Sequence, residues 1–131
     1  MMITIDLDNA TAKDVKLTLK IAKAYGLQLI RINRSFSKQG FHLIFYIHKT
    51  QLEHLDFLDV PRELKPIVRE RYFEAIAKYD DRVAILRYIL GDDPNRIEFD
   101  LAKGDVLPRE VLFNVYVGKR VSKATEIRKS E

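Results

Sequence analysis

Three aspartates and one histidine are the residues of this sequence whose types and spacing best suit chemistry. Asp6 and Asp8 are two positions apart, so on a β-strand both carboxylates point to the same face. His42 and Asp100 occupy the polar positions of two later stretches in which apolar and polar residues alternate. Three crowded carboxylates repel one another, and a divalent cation with oxygen ligands relieves that repulsion. The pattern predicts a site for Mg²⁺ or Mn²⁺ at Asp6, Asp8 and Asp100, with His42 beside it.

Each of these four residues is predicted to lie on a β-strand. Strands are expected over residues 3–8, 27–34, 41–48 and 96–101, with a further strand over residues 111–117. In the strand over residues 96–101, the alternation places Phe99 inward and Asp100 outward. The alternative for the outward residues is an ordinary polar face, because exposed strand faces are polar in any case.

Helices are predicted between the first and second strands and between the third and fourth. Thr11 is a good N-cap, so one helix should run from there to about Tyr25, with Gly26 as its end. Residues 50–90 are predicted to be helical in two or three pieces, the last of which exposes Arg87. The sequence Asp-Asp-Pro at residues 92–94 is then explained by a turn.

The order of these elements is β-α-β-β-α-β, with an additional C-terminal strand and a helical insertion. It predicts an α+β fold of the ferredoxin-like or RNA-recognition-like class, with helices covering one face of an antiparallel sheet. In that topology the first and third strands are central and the fourth lies beside the first. One such domain is expected over residues 1–118, followed by a basic tail over residues 119–131.

Three short motifs resemble those of the archaeo-eukaryotic primase–polymerase superfamily, in the form of a minimal RNA-recognition-like catalytic core. Residues 5–8, Ile-Asp-Leu-Asp, resemble its first motif, a hydrophobic strand that ends in Asp-x-Asp. Residues 37–42, Ser-Lys-Gln-Gly-Phe-His, resemble the second, in which a Ser/Gly-rich turn leads into a strand with a histidine. Residues 97–100, Ile-Glu-Phe-Asp, are similar to the third, an apolar strand with one acidic residue. The stretch over residues 91–101 also resembles small proteins of archaea and archaeal viruses.

The resemblance implies a role for each motif residue. Asp6, Asp8 and Asp100 would be the catalytic carboxylates that hold Mg²⁺ or Mn²⁺, and His42 would contact a nucleoside triphosphate. An active protein would join a 3′-hydroxyl, or a first nucleotide, to an incoming triphosphate by two-metal chemistry. This implies a nucleotidyltransferase of DNA replication, with single-stranded DNA or RNA as its other partner.

The turn before His42 supplies the remaining candidates for nucleotide binding. Ser37 belongs to the second motif, and Lys38 follows it. Arg34 stands on the other side of the same turn, where a triphosphate would approach. Lys38 and Arg34 are equally explained as ordinary loop cations.

Composition limits the other possibilities. The chain has 131 residues, of which 47% are hydrophobic and 32% charged, enough for one core and a polar surface. It has no cysteine, which excludes thiol catalysis, zinc fingers and iron–sulfur clusters and favours a reducing compartment. No apolar run approaches the roughly 20 residues of a membrane span. We therefore expect no membrane contact and a cytoplasmic protein, in the host cytoplasm if it is viral, and the abundance of charged residues suits a thermophilic source.

The basic tail keeps two other functions open. Residues 119–131 hold five basic and two acidic side chains, a net charge of +3 out of +4 for the chain. Such a tail suits contact with a polyanion, although a solvated C-terminal helix explains it equally well. One alternative function is a non-catalytic module that binds single-stranded nucleic acid on its open sheet face. The other is a viral structural or interaction protein that forms a homodimer through an edge strand.

Overall fold

A computed structural model describes residues 1–34 and 39–103, which form an α+β fold. The strands are Met2–Asp8 (β1), Gln28–Arg34 (β2) and Gly40–Tyr46 (β3). The helices are Ala12–Ala24 (α1), Lys49–Glu53 (α2), Lys65–Lys78 (α3), Arg82–Leu90 (α4) and Pro94–Ala102 (α5), and a 3₁₀ turn, Arg62–Leu64, precedes α3. The strand predicted over residues 111–117, the basic tail, Ser37 and Lys38 lie outside the described residues.

The three strands form an antiparallel sheet in the order β1-β3-β2. Asp6 lies opposite His42, and on the other side of β3 His42 lies opposite Asn33. The alternation predicted for the first and third strands is confirmed by the residues that are buried on the other face: Ile3, Ile5, Leu7, Leu43 and Phe45. Asp6 and His42 therefore share the face that is turned away from the core.

Local signals set the ends of α1 and α4. Thr11 and Asp14 form a capping box at the start of α1, and Gly26 follows the helix with a φ of +79°. Asp81 accepts hydrogen bonds from two N–H groups in the first turn of α4, and Gly91 ends that helix with a φ of +100°. Both ends predicted for α1 are confirmed, and α4 ends at Leu90, where the predicted helical stretch over residues 50–90 also ends.

The centre of the core is α4, which packs against β1, α1, α2, α3 and α5. Nearly all of its residues are buried, as is expected for a helix with neighbours on every side. The prediction that Arg87 is exposed is wrong. Only 4% of its surface is accessible, and its guanidinium forms ion pairs with Asp92 and Asp100. α4 has nine residues, and no helix in the described ranges is both long and apolar enough to cross a bilayer.

The strand predicted over residues 96–101 is wrong, because this segment belongs to α5. Asp93 caps the helix by accepting the N–H of Asn95 at 3.0 Å, and Pro94 occupies the first turn, where its missing N–H is tolerated. Positions 97 and 99 point to roughly opposite sides of a helix. Ile97 is accordingly buried, whereas Phe99, predicted to point inward, is 61% exposed. Residues 96–101 therefore do not supply the fourth strand that a ferredoxin-like sheet places beside β1.

Candidate functional site

Asp6 and His42 form the centre of the polar cluster on the sheet. Their side chains make an ion pair between Oδ1 of Asp6 and Nδ1 of His42, with the histidine charged only when it is protonated. The main-chain N–H of Asp6 donates to Oδ1 of Asp92 at 2.9 Å, so it points away from β3. Asp6 and His42 are therefore a non-hydrogen-bonded pair, the kind in which facing side chains come closest.

A series of alternating charges connects Asp6 with Asp100. Nη1 of Arg96 lies 3.0 Å from Oδ2 of Asp6 and 3.1 Å from Oδ1 of Asp92. Nε of Arg87 lies 2.7 Å from Oδ2 of Asp92, and its Nη1 lies 3.0 Å from Oδ2 of Asp100. The structure thus brings Asp100 into the cluster of Asp6, but from a helix and through two arginines and a further aspartate.

Asp92 is the buried centre of this series, with 3% of its surface exposed. Its Oδ1 accepts the N–H groups of Asp6 and Asp93, at 2.9 and 2.8 Å, in addition to its contact with Arg96. Burial raises the pKa of Asp92, and the guanidinium groups of Arg96 and Arg87 oppose this rise. The turn predicted at residues 92–94 does not account for the burial of Asp92 or for its contacts with Asp6 and Arg96. The spacing of four residues between Asp92 and Arg96 would have indicated the pair if a helix had been predicted there.

Asp8 is the carboxylate of the cluster whose negative charge is least balanced by cationic side chains. It lies exposed at the end of β1 and makes no ion pair within the described ranges. Partial burial, the charges of Asp93 and Asp6, and a hydrogen bond with the Asp93 carboxyl all raise the pKa of Asp8, against the influence of Arg96. Unmatched negative charge therefore accumulates where Asp8 and Asp93 meet.

The cluster differs from a cage of three free carboxylates. Among residues 1–34 and 39–103, no group of three or more His, Cys, Asp or Glu side chains is arranged to hold a metal ion. Asp6 and Asp100 are each neutralised by cationic side chains. Mg²⁺, however, commonly takes only one or two protein carboxylates and completes its shell with water and phosphate oxygens. Asp8, which makes no ion pair within the described ranges, is the carboxylate of the cluster that is left for that smaller requirement, since both oxygens of Asp6 face cationic partners.

Three side chains at the turn before His42 were predicted to bind the nucleotide. Of these, the described residues include Arg34. It pairs with Phe41 across β2 and β3, and its guanidinium lies over the Phe41 ring, 5.1 Å from the ring centroid. Phe41 and His42 are consecutive on β3 and point to opposite faces of the sheet, so this contact keeps the Arg34 guanidinium on the face opposite the Asp6–His42 pair. Ser37 and Lys38 stay predictions, since they lie outside the described residues.

The rest of the polar sheet face carries side chains that suit contact with nucleic acid. Ile44 lies between Thr4 and Arg31 in the register of the three strands, and it is partly exposed. Tyr46, two positions further along β3, is also partly exposed. Its ring meets the ring of His48 edge-on, with 5.3 Å between the two ring centroids. The face therefore offers one aromatic ring and one cation at a distance of a few residues from Asp6.

Comparison of the chain with protein-family models, with curated proteins and with solved structures finds no match. Function must therefore be inferred from the chemistry of the cluster itself. Asp6 and Asp8 carry carboxylate oxygens, the ligand type that hard cations prefer. His42 supplies a group that can give or take a proton, and Arg96 holds the Asp6 carboxylate in place.

Proposed function

We propose that this chain binds a nucleoside triphosphate and nucleic acid through a divalent metal ion, as a minimal primase–polymerase-like domain. The observation that supports this most is the carboxylate of Asp8, which makes no ion pair within the described ranges and lies in the same cluster as the Asp6–His42 pair. The first two motifs of the resemblance lie on β1 and β3, which are adjacent strands. The third motif lies on α5, so the proposal depends on the first two.

The sheet order supports the finer assignment of the fold that belongs to this proposal. A ferredoxin-like sheet places its third strand between the first and the second, as β3 lies between β1 and β2 here. The fourth strand of such a sheet would bond to the outer edge of β1. In this chain a side-chain oxygen of Asp92 accepts the Asp6 N–H at that edge.

The residues of the cluster have separable tasks in the proposed site. Asp8 and Asp6 would hold Mg²⁺ or Mn²⁺, and the bound ion would neutralise charge on the phosphates of a nucleotide. His42 is placed to donate a hydrogen bond to a phosphate oxygen next to Asp6. Arg96 fixes the orientation of Asp6, and Arg87 fixes Asp92 and Asp100. The reaction class for such a site is nucleotidyl transfer.

Calorimetric titration of Mn²⁺, and then of a nucleoside triphosphate with Mn²⁺, tests the proposal directly. We expect Asp8→Asn to abolish binding of the ion and of the metal-dependent nucleotide. The matched control is Asp59→Asn, which changes an exposed aspartate outside the cluster and should bind like the parent. Equal binding by both variants would rule out the proposed site, and extension of a primer would then test whether the bound nucleotide is transferred.

A second candidate is a non-catalytic module that binds single-stranded nucleic acid. The partly exposed Tyr46 and Ile44 on the sheet face favour it, since bases stack on aromatic side chains of such faces. A module of this kind predicts binding that is sensitive to salt, needs no metal and is lost in Tyr46→Ala. Binding of single-stranded nucleic acid that needs no metal and survives Asp6→Ala, without metal-dependent nucleotide binding in the parent, would favour the module over the primase-like domain.

A third candidate, a homodimer formed through an edge strand, is favoured by β2. Within the described residues β2 pairs on one side only, and its apolar side chains Leu29, Ile30 and Ile32 are 42, 46 and 40% exposed. An unpaired apolar edge is prone to pair with a second copy. Sedimentation of the parent and of Ile30→Lys tests this candidate, because a dimer through β2 should dissociate in the variant.

A further inference from the structure

A cavity of about 250 Å³ lies beside Asp8, at the end of β1. Leu7 and Asp8 form one wall at the end of β1, Ala10 and Leu17 belong to the chain around the start of α1, and Arg71 reaches in from α3. Whole ligands usually occupy somewhat larger pockets. The cavity therefore suits one end of a ligand, with the remainder outside.

The shape of this cavity is fixed by close contacts with the end of α4. Gly91 lines it in a left-handed conformation, and a Cβ atom there would lie 3.2 Å from Cδ2 of Leu7 and 3.6 Å from Nη1 of Arg71. Thr18 donates its hydroxyl to the Leu90 carbonyl oxygen at 2.7 Å, which fastens α1 to the same end of α4. A side chain at position 91 would fill space that glycine leaves to the cavity.

Arg71 is the cation of the cavity. Its Nη1 donates to the Ile89 carbonyl oxygen at 2.9 Å, and this is its one hydrogen bond among the described residues. A guanidinium has five N–H donors, and no carboxylate of the described ranges lies within ion-pair distance of this one. Partial burial lowers the pKa of Arg71, because it disfavours the charged form. A half-buried guanidinium without a contacting anion is a suitable place for an oxyanion.

The cavity also presents a carboxylate, so its ligand should carry both signs of charge. Asp14 lines the cavity, but its Oδ2 already accepts the main-chain N–H of Thr11 at 2.9 Å and the Thr11 hydroxyl at 3.2 Å. Asp8 accepts no such main-chain hydrogen bond among the described residues, so its carboxylate is the one better able to face a ligand. A phosphate chain with a divalent ion attached has its positive part and its negative part side by side. It would place the ion at Asp8 and a phosphate at Arg71.

We propose that this cavity binds the phosphate chain of a metal-bound nucleoside triphosphate, with Arg71 on its terminal phosphate. The inference rests on the proposed function, because it uses the same metal ion at Asp8. Arg71 lies outside all three motifs, so the resemblance assigns it no role. It adds to the nucleotide contacts an arginine from α3, at the side of β1 that faces the helices.

The test compares Arg71→Gln with Arg69→Gln, which removes an exposed arginine of the same helix that lies over the ring of Phe73. Each protein is titrated with Mn²⁺ alone and, in Mn²⁺, with a nucleoside triphosphate, a nucleoside monophosphate and inorganic tripolyphosphate. Arg71→Gln should weaken the binding of the nucleoside triphosphate and of tripolyphosphate by about 10- to 100-fold. This is the loss expected when charge-assisted hydrogen bonds are removed. Its binding of Mn²⁺ and of the monophosphate should equal that of the parent, and Arg69→Gln should change nothing.

A second variant keeps Arg71 and fills the cavity from the other wall. Ala10→Leu should weaken the binding of the nucleoside triphosphate and of tripolyphosphate and leave Mn²⁺ binding unchanged. This variant tests the cavity even if Arg71→Gln folds poorly. If Mn²⁺ binds but neither variant weakens the triphosphates, the inference about the cavity fails and the proposed function stands. If the parent binds no Mn²⁺, both fail. Tripolyphosphate that binds more tightly than the nucleotide would overturn the assignment to a nucleotide.

Discussion

Asp8 is the residue at which the charge of the cluster can be tested without breaking an ion pair. Its pKa is raised in the folded protein, so the ionised form opposes folding once the pH exceeds that pKa. We expect Asp8→Asn to melt at the same or a higher temperature than the parent at pH 7 in metal-free buffer. The difference should disappear below the ordinary pKa of 3.8, where Asp8 is protonated in both states.

Metal ions should reverse this ranking. An ion that binds only the folded state stabilises it by mass action. Mn²⁺ should therefore raise the melting temperature of the parent more than that of Asp8→Asn, with Asp59→Asn again as the control. Equal shifts in parent and variant would mean that Asp8 holds no metal ion.

The face on which a site residue lies was predictable from sequence for the residues on strands, whereas Asp100, predicted on a strand, reaches the cluster from α5. Asp6, Asp8 and His42 occupy alternate positions of β1 and β3, and a period of two residues assigns their face directly. Arg87 and Asp92 could not be found in this way, because each looks like an ordinary surface charge until its partner is known. Their burial follows from the packing of α4 and α5, which depends on residues far apart in the chain.

At the scale of elements, the caps of α4 and α5 differ in what surrounds them. Asp81 accepts the N–H groups of Val83 and Ala84 at 2.8 and 3.1 Å, whereas Asp93 accepts one N–H and repels Asp8. Asp81→Ala should lower the free energy of unfolding by about 1–2 kcal/mol. Asp93→Ala should lower it by less, because repulsion is relieved together with the loss of the cap.

A double-mutant cycle in urea measures this difference. When Asp8 is already Asn, the change Asp93→Ala relieves no repulsion and should lower the free energy of unfolding by the full value of a cap. If Asp93→Ala has the same effect with Asp8 and with Asn at position 8, the two carboxylates do not interact.

The connection between α4 and α5 depends on Arg87. Arg87→Met would leave the buried Asp92 with one guanidinium fewer and Asp100 with none from α4. Removal of one partner from a buried ion pair typically lowers the free energy of unfolding by about 3–5 kcal/mol, and we expect a loss of this size in urea denaturation. Arg69→Met, an exposed change on α3, should stay within about 0.5 kcal/mol of the parent. A similarly small effect of Arg87→Met would contradict the importance of this pair.

Four of the elements could be predicted from sequence because their signals are local. The apolar alternation of β1 and β3, the capping box of α1 and the glycine that ends α4 are each contained in a few residues. α5 was predicted as a strand, since the alternation over residues 96–101 is too short to distinguish a strand from a helix. The sequence Asp-Pro at residues 93–94 was the stronger local signal, and it indicates a helix start.

At the scale of the whole chain, the basic tail separates nucleic-acid binding from nucleotide binding. Deletion of residues 119–131 removes five cations and two anions but none of the cluster residues. We expect weaker binding of single-stranded DNA or RNA and a flatter dependence on salt, because fewer counterions are released. Titration at several salt concentrations measures both, and nucleotide binding in Mn²⁺ should be unchanged. A tail that contacts no polyanion would leave the salt dependence of the parent intact.

The hydrogen bond from the Asp6 N–H to Asp92 makes one amide proton of the sheet depend on the helices. Neighbouring N–H groups of Ile5 and Leu7 point toward β3, so they exchange with solvent only when the strands separate. The Asp6 proton is released as soon as the connection between α4 and α5 moves away from β1. Hydrogen exchange followed by NMR should therefore find Asp6 less protected than Ile5 and Leu7. Arg87→Met should accelerate exchange at Asp6 first, so that this single proton reports how often the charged cluster opens.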